Sequence, residues 1–242
     1  MTEIRLEGIS KRYRGVVALD GVSLTVGSGE LLVVVGPTGC GKTSMLRIIA
    51  GLERQDSGSV YFDGEPVDHV PLGKRGVQMV FQNYALWPHM KVMDEKKYTN
   101  LSLPLKVRNW ASDSIGVRIK EAARRVGLDP ALFGRKPDQL SQGQKQKVAI
   151  ARALTASPRI FLMDEPLSSL DPPSRVLARE EIRKLQQDER ATMLYVTHNM
   201  RDAFAMADRI AVMRDGRFVQ IGAADELWAH PVEQFVLDYL QS

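Results

Sequence analysis

The 242-residue chain predicts an α/β fold, a mostly parallel sheet with an added antiparallel β region and an inserted α-helical subdomain. Three observations carry that prediction. Short apolar runs alternate with stretches of helical period, as strands separated by helices do. One such run, "ELLVVVG" (30–36), feeds straight into a glycine-rich loop and then a helix, "KTSMLRIIAGL" (42–52). Between about 85 and 157 the strand signals thin out and apolar residues take helical spacing. The predicted α/β core therefore covers about 1–84 and 158–242, with the helical insertion between them.

Taken in order, "EIRLEGI" (3–9) alternates like a strand, and "VSLTV" (22–26) follows after a turn. "SGSVYFDGEPV" (57–67) reads as a hairpin on Asp63-Gly64, because Asp-Gly tolerates the left-handed backbone of a tight turn. "GVQMVF" (76–81) is a further strand, and "SIGVRIKEAARRVGL" (114–128) a helix in the insertion. Strands return with "RIFLMDE" (159–165) and "ATMLYVT" (191–197). Between them "PSRVLAREEIRKLQQ" (173–187) is amphipathic, its charges reading as a solvated face. "RIAVMRDGRFVQIG" (209–222) reads as a closing hairpin.

Composition excludes several classes. With 44% hydrophobic and 26% charged residues the chain can bury a core, which argues against disorder. A net charge of +4 without a basic block permits a membrane surface or nucleic acid as neighbour and argues for neither. The single cysteine, Cys40, rules out an internal disulfide and suits a reducing compartment. No signal peptide is visible, and no apolar run approaches the roughly 20 residues that span a bilayer. If the protein works at a membrane, another chain crosses it.

Chemistry concentrates at strand ends. "GPTGCGKT" (36–43) fits G-x-x-x-x-G-K-[ST] with a strand before it and a helix after it. Gly36, Pro37, Thr38, Gly39, Cys40 and Gly41 form a loop whose backbone N–H groups can wrap phosphate. Lys42 reaches the β- and γ-phosphates, Thr43 can ligate Mg²⁺, and Ser44 follows in the first helical turn. Cys40 reads two ways, as a thiol activated by a helix start or as a small residue that fits. "IFLMDEP" (160–166) delivers two carboxylates at the tip of an apolar strand. Asp164 is placed to hold Mg²⁺ and Glu165 to activate an attacking water. His198 and Gln82 each follow a strand, and parallel strands would gather them with Gly36 and Asp164 at one edge of the sheet, where ligands bind. A second anion seat is the helix start in "LSQGQKQKVAIARAL" (140–154).

Together these motifs resemble the ATP-binding subunits of ABC transporters over nearly the whole chain. "LSQGQ" is the specific part: the family's signature is LSGGQ, and its place between the phosphate loop and the Asp-Glu strand is nearly private to this family. The resemblance implies a RecA-like P-loop NTPase core, ATP and Mg²⁺ as ligands, and ATP hydrolysis by Glu165, His198 and Lys42. It implies Tyr13 stacking on adenine, although an aromatic stack gives little base selectivity and leaves GTP open. It implies Gln82 sensing Mg²⁺ and the transmembrane partner, Asp171 at a dimer seam, and His198 contacting the γ-phosphate. Ser141, Gly143 and Gln144 would bind the ATP held on the Lys42 loop of a second subunit, in a head-to-tail homodimer. That accounts for two anion seats in one chain.

The stretch "NYALWPHM" (83–90) looks like the importer type, in which it contacts a permease; Tyr84, Leu86 and Trp87 suit either that interface or packing within the subdomain. With "ADELWAHPVEQFV" (224–236), the chain is similar to sugar and polyamine import subunits, which usually continue into a C-terminal regulatory domain. The implied setting is peripheral, at the cytoplasmic face of the cell membrane, with permease subunits and an extracytoplasmic solute-binding protein acting through them. No nucleic acid is expected; a soluble ABC ATPase acting on DNA or ribosomes, a slowly turning regulator and an exporter are the rival readings. Three departures stand out. Gln142 replaces a glycine and would be strained if that position needs positive φ. Asn199 replaces an aspartate, and 91–105 fits the family poorly.

Overall fold

The computed structural model describes residues 2–94 and 97–241. Glu95 and Lys96, inside the poorly fitting 91–105 stretch, lie outside the described residues. The chain runs β1 (Ile4–Tyr13), β2 (Val16–Val26), β3 (Leu31–Val35), α1 (Lys42–Ala50), β4 (Ser57–Phe62), β5 (Glu65–Pro66) and β6 (Val77–Val80). Then come α2 (Leu103–Lys106), α3 (Ser112–Arg125), α4 (Gln142–Thr155), β7 (Ile160–Asp164), α5 (Pro172–Glu189) and β8 (Thr192–Thr197). The last elements are α6 (Met200–Met206), β9 (Arg209–Arg214), β10 (Arg217–Gly222), α7 (Ala224–Ala229) and α8 (Gln234–Leu240). The chain divides into two compact units.

The first unit runs to Met79 and includes Arg159–Glu165 and everything from Gln186 onward. Its antiparallel sheet has the order β2-β1-β4-β5, and the larger sheet the order β10-β9-β3-β8-β7-β6. In the larger sheet β3 is parallel to β8 and β9, and β7 is parallel to β8. Strands buried on both faces have no use for alternation, so β3, β7 and β8 are buried along their whole length. Leu32, Val34, Leu162, Leu194 and Val196 pack with Met45, Leu46 and Ile49 of α1 and with Ile4, Leu6 and Ile9 of β1 in one core. Parallel order then brings the ends of β3, β7 and β8 to the same edge, which is where the chemistry sits.

The hairpin turns follow their residues. Asp63 and Gly64 both take positive φ between β4 and β5, and Asp215 and Gly216 do so between β9 and β10. The first two strands are longer than the sequence suggests and meet at a tight turn through Arg14 and Gly15. Register shifts along β1 break the alternation, so only parts of each strand are visible in the pattern. The chain does not close on β10: α7 and α8 follow it.

The second unit comprises Val80–Pro158 and Pro166–Leu185. Residues 166–185 thus group with the helical unit, whereas the sequence places them in the core. In α3 the buried Ile115, Ile119, Ala122 and Ala123 recur at helical spacing. The Arg118 guanidinium donates to the carbonyls of Leu154 (3.0 Å) and Thr155 (3.2 Å), satisfying the end of α4. No described helix is long and apolar enough to cross a membrane.

Candidate functional site

The glycine loop links the end of β3 to the start of α1, and its glycines answer to packing. A Cβ on Gly36 would lie 2.2 Å from the Met213 carbonyl oxygen, and one on Gly41 2.3 Å from that of Ala18. Gly41 also takes φ 108° as the N-cap of α1 and has no side chain to cap the first turn. That leaves the positive end of α1 to an anion. Lys42 is 5% exposed, and its ammonium donates to the carbonyls of Gly36 (2.7 Å) and Pro37 (2.9 Å). Its charge is held inside the loop by dipoles that phosphate oxygens can replace.

Next to it, the Thr43 hydroxyl donates to Asp164 Oδ1 at 2.9 Å. Asp164 ends the buried strand β7 and is itself 6% exposed. Burial pushes its carboxyl above the ordinary value, and the bond from Thr43 works against that rise. A hydroxyl and a carboxylate are hard oxygen donors and suit Mg²⁺, which takes one or two carboxylates together with phosphate oxygens. No cluster of three acidic, His or Cys side chains that could cage a metal occurs among the described residues.

Glu165 follows in a left-handed conformation (φ 46°), its N–H donating to the Val196 carbonyl at 3.0 Å. A non-glycine residue held there carries backbone strain, which is common at functional sites. His198 Nδ1 lies 3.0 Å from Glu165 Oε2. An ionised carboxylate only accepts, so Nδ1 carries the proton of this contact. Asn199, uninterpreted in the sequence, caps α6: its side chain accepts from the Arg201 N–H at 2.9 Å.

Tyr13 sits at the end of β1, its hydroxyl pushed up by burial and by the neighbouring Glu53, and its ring 5.4 Å from the Lys11 ammonium. Cys40 is buried, and burial pushes its thiol up despite the neighbouring Lys42. Burial of that kind favours the small-residue reading of Cys40 over the activated-thiol one. Tyr239 of α8 enters the same region without any sequence motif to announce it. Its hydroxyl donates to the His198 carbonyl at 3.1 Å. An aromatic on a short apolar helix reads as core in any pattern analysis.

The structure gathers Gly36, Lys42, Thr43, Asp164, Glu165 and His198 in the first unit. Gln82, Ser141, Gly143, Gln144 and Asp171 belong to the second. There Ser141 caps α4: its hydroxyl accepts from the Gln144 N–H (3.3 Å), and the Gln144 side chain accepts from the Ser141 N–H (2.9 Å). Gln142 opens the helix with no positive φ, so the strain expected of it does not arise. A Cβ on Gly143 would touch only Leu170, at 4.0 Å, so the chain's own packing does not demand a glycine there. Asp171 accepts from the Ser174 N–H at 3.1 Å ahead of α5, and with the Ser174 hydroxyl this holds its carboxyl below the usual range.

Gln82 is exposed. Tyr84 is 2% exposed and serves packing, while Leu86 and Trp87 are half-buried. Arg152 donates to the carbonyls of Tyr84 (2.7 Å) and Ala85 (2.6 Å), and its guanidinium lies 5.0 Å from the Trp87 ring. The 84–87 turn is thereby fixed to α4.

The ABC transporter family profile matches residues 19–168. The sn-glycerol-3-phosphate import ATP-binding protein UgpC of Chromohalobacter salexigens is 46% identical over 100% of this chain, and the lactose transport ATP-binding protein LacK of Rhizobium radiobacter is also 46% identical. The chain spans 64% and 65% of their lengths, less than two thirds of each. Among solved structures, the ATP-binding cassette MJ0796, in a dimeric post-hydrolysis state bound to ADP and Pi, is 30% identical with a TM-score of 0.80. That match covers 91% of this chain and 98% of the other. A nucleotide-free ATP-binding cassette from an ABC transporter matches at TM-score 0.83 and 25% identity, over 99% of this chain and 98% of that one. The fold is that of a P-loop NTPase cassette, and by profile and by relatives aligned along its whole length the chain belongs to the ABC transporter family.

Proposed function

We propose that this chain is an ATP-binding and hydrolysing motor subunit of an importer, acting through a separate membrane permease at the cytoplasmic face of the membrane. The names of its relatives, which concern sn-glycerol-3-phosphate, lactose and alpha-glucosides, favour a sugar-type solute over a polyamine. One observation carries the catalytic part: the Thr43–Asp164 pair stands beside Lys42 on one side and the Glu165–His198 pair on the other. Phosphate binding, metal holding and water activation are thus supplied from three adjacent strand ends.

ATP binding displaces the Lys42 ammonium from the Gly36 and Pro37 carbonyls onto the β- and γ-phosphates. Thr43 and Asp164 hold Mg²⁺. When bound there, Mg²⁺ supplies positive charge to the phosphate oxygens. Glu165 takes the proton of the attacking water. His198 contacts the γ-phosphate from beside Glu165. Ser141 and Gly143 of a second copy complete the phosphate contacts, and the 83–90 turn meets the permease.

Phosphate release by the purified chain tests this reading. Wild type is expected to turn over, while Glu165→Gln loses at least about 100-fold in rate and still binds ATP. Turnover of Glu165→Gln within a few-fold of wild type would remove Glu165 from the mechanism.

A further inference from the structure

The Tyr239 hydroxyl reaches the site from α8. It donates to the carbonyl of His198, at the end of β8, over 3.1 Å. The imidazole of the same residue has its Nδ1 3.0 Å from Glu165 Oε2. One phenol thus holds the backbone of the residue that pairs with Glu165.

The phenol is well placed to stay put. Val236 and Leu240 of α8 are buried at 0% and 4% exposure. Phe235 stacks on Tyr239 with ring centroids 5.8 Å apart, and the Arg214 guanidinium covers the Phe235 ring at 4.5 Å. Arg214 also pairs with Glu233 at 2.8 Å, tying the start of α8 to the end of β9. Burial first, and then the nearby Cys40 and Glu165, push the phenol up to about 12, so it remains a donor throughout the working range of the protein.

We propose that Tyr239 is a positioning residue of the nucleotide site, its hydroxyl holding the backbone of His198 so that the imidazole keeps its place beside Glu165 for hydrolysis. The role rests on the ATPase reading above. It is distinct from packing, because the ring alone would fill the space and only the hydroxyl can donate to the His198 carbonyl.

The test compares wild type with Tyr239→Phe in the full chain, with two readouts: kcat and KM for ATP, and the thermal midpoint. The expected result is a roughly five- to tenfold fall in kcat, as losing about 1–1.4 kcal/mol of transition-state stabilisation gives. KM stays within twofold and the midpoint is nearly unchanged. A Tyr239→Phe variant with wild-type kcat overturns the proposal. So does a variant whose loss lies wholly in KM or in the thermal midpoint, since that is the signature of packing. A wild-type chain that releases no phosphate overturns the ATPase reading and this role with it, whereas normal wild-type turnover with an indifferent variant overturns the role alone.

Discussion

Asp164 ends a strand that is otherwise wholly apolar, and its carboxylate is 6% exposed. Burial raises its pKa, with the Thr43 hydroxyl as the main opposing influence. A raised value means that the folded protein holds the proton more tightly than the unfolded chain does, so the ionised group costs stability above its folded pKa. That cost fades as pH falls through the folded pKa towards the ordinary value of about 4. Asp164→Asn keeps an acceptor for Thr43 and removes the charge. In nucleotide-free protein at pH 7.5 it is expected to raise the thermal midpoint by about 2–4 °C, equivalent to about 1 kcal/mol. The gain should shrink as the pH is lowered, and ATP with Mg²⁺ should stabilise the variant less than wild type. A variant no more stable than wild type at pH 7.5 would mean that the carboxylate is not under strain. At this scale the motif residues are legible in the sequence because phosphate chemistry demands particular side chains at fixed spacing. Tyr239 is not, since a phenol donating to a distant backbone carbonyl follows from tertiary placement alone.

Elements were legible where local chemistry decides them and illegible where the partner strand does. The Asp63-Gly64 turn is written in two residues, whereas the bulged pairing of β1 with β2 depends on strands meeting at a distance in the fold. Helix starts belong to the legible kind. Asp171 stands before α5, its carboxylate accepting from Ser174 and held below the usual range by those bonds. A depressed value contributes stability that is present above the unfolded pKa and lost as pH falls through the folded one. Asp171→Ala is therefore expected to lower the thermal midpoint at pH 7, and the difference from wild type should close in acid, below about pH 4. Asp171→Asn retains an acceptor and should lie between them. A midpoint difference that persists unchanged in acid would point to some cause other than the charged cap.

For the whole molecule, the capped start of α4 faces a question that no single copy answers. Ser141 and Gln144 satisfy each other's backbone N–H groups, yet the glycine at 143 has space around it that the chain's own packing does not require. A close approach by another molecule would use that space, and the head-to-tail pairing proposed above puts ATP there. Slowing hydrolysis with Glu165→Gln should trap the pair, so its mass in solution is expected to double on adding ATP. Ser141→Arg in the same background should stay monomeric while still binding ATP. Losing the cap costs about 1 kcal/mol, so its thermal midpoint must be shown to leave the chain folded. Gln142 is the decisive control. Because it sits in ordinary helical backbone, Gln142→Gly should relieve nothing; it should dimerise as its parent does and lose up to about 1 kcal/mol of helix stability. If Gln142→Gly dimerises far more tightly than its parent, the glutamine obstructs the seam between copies by its bulk, and "LSQGQ" marks a chain that depends on its permease to bring the halves together.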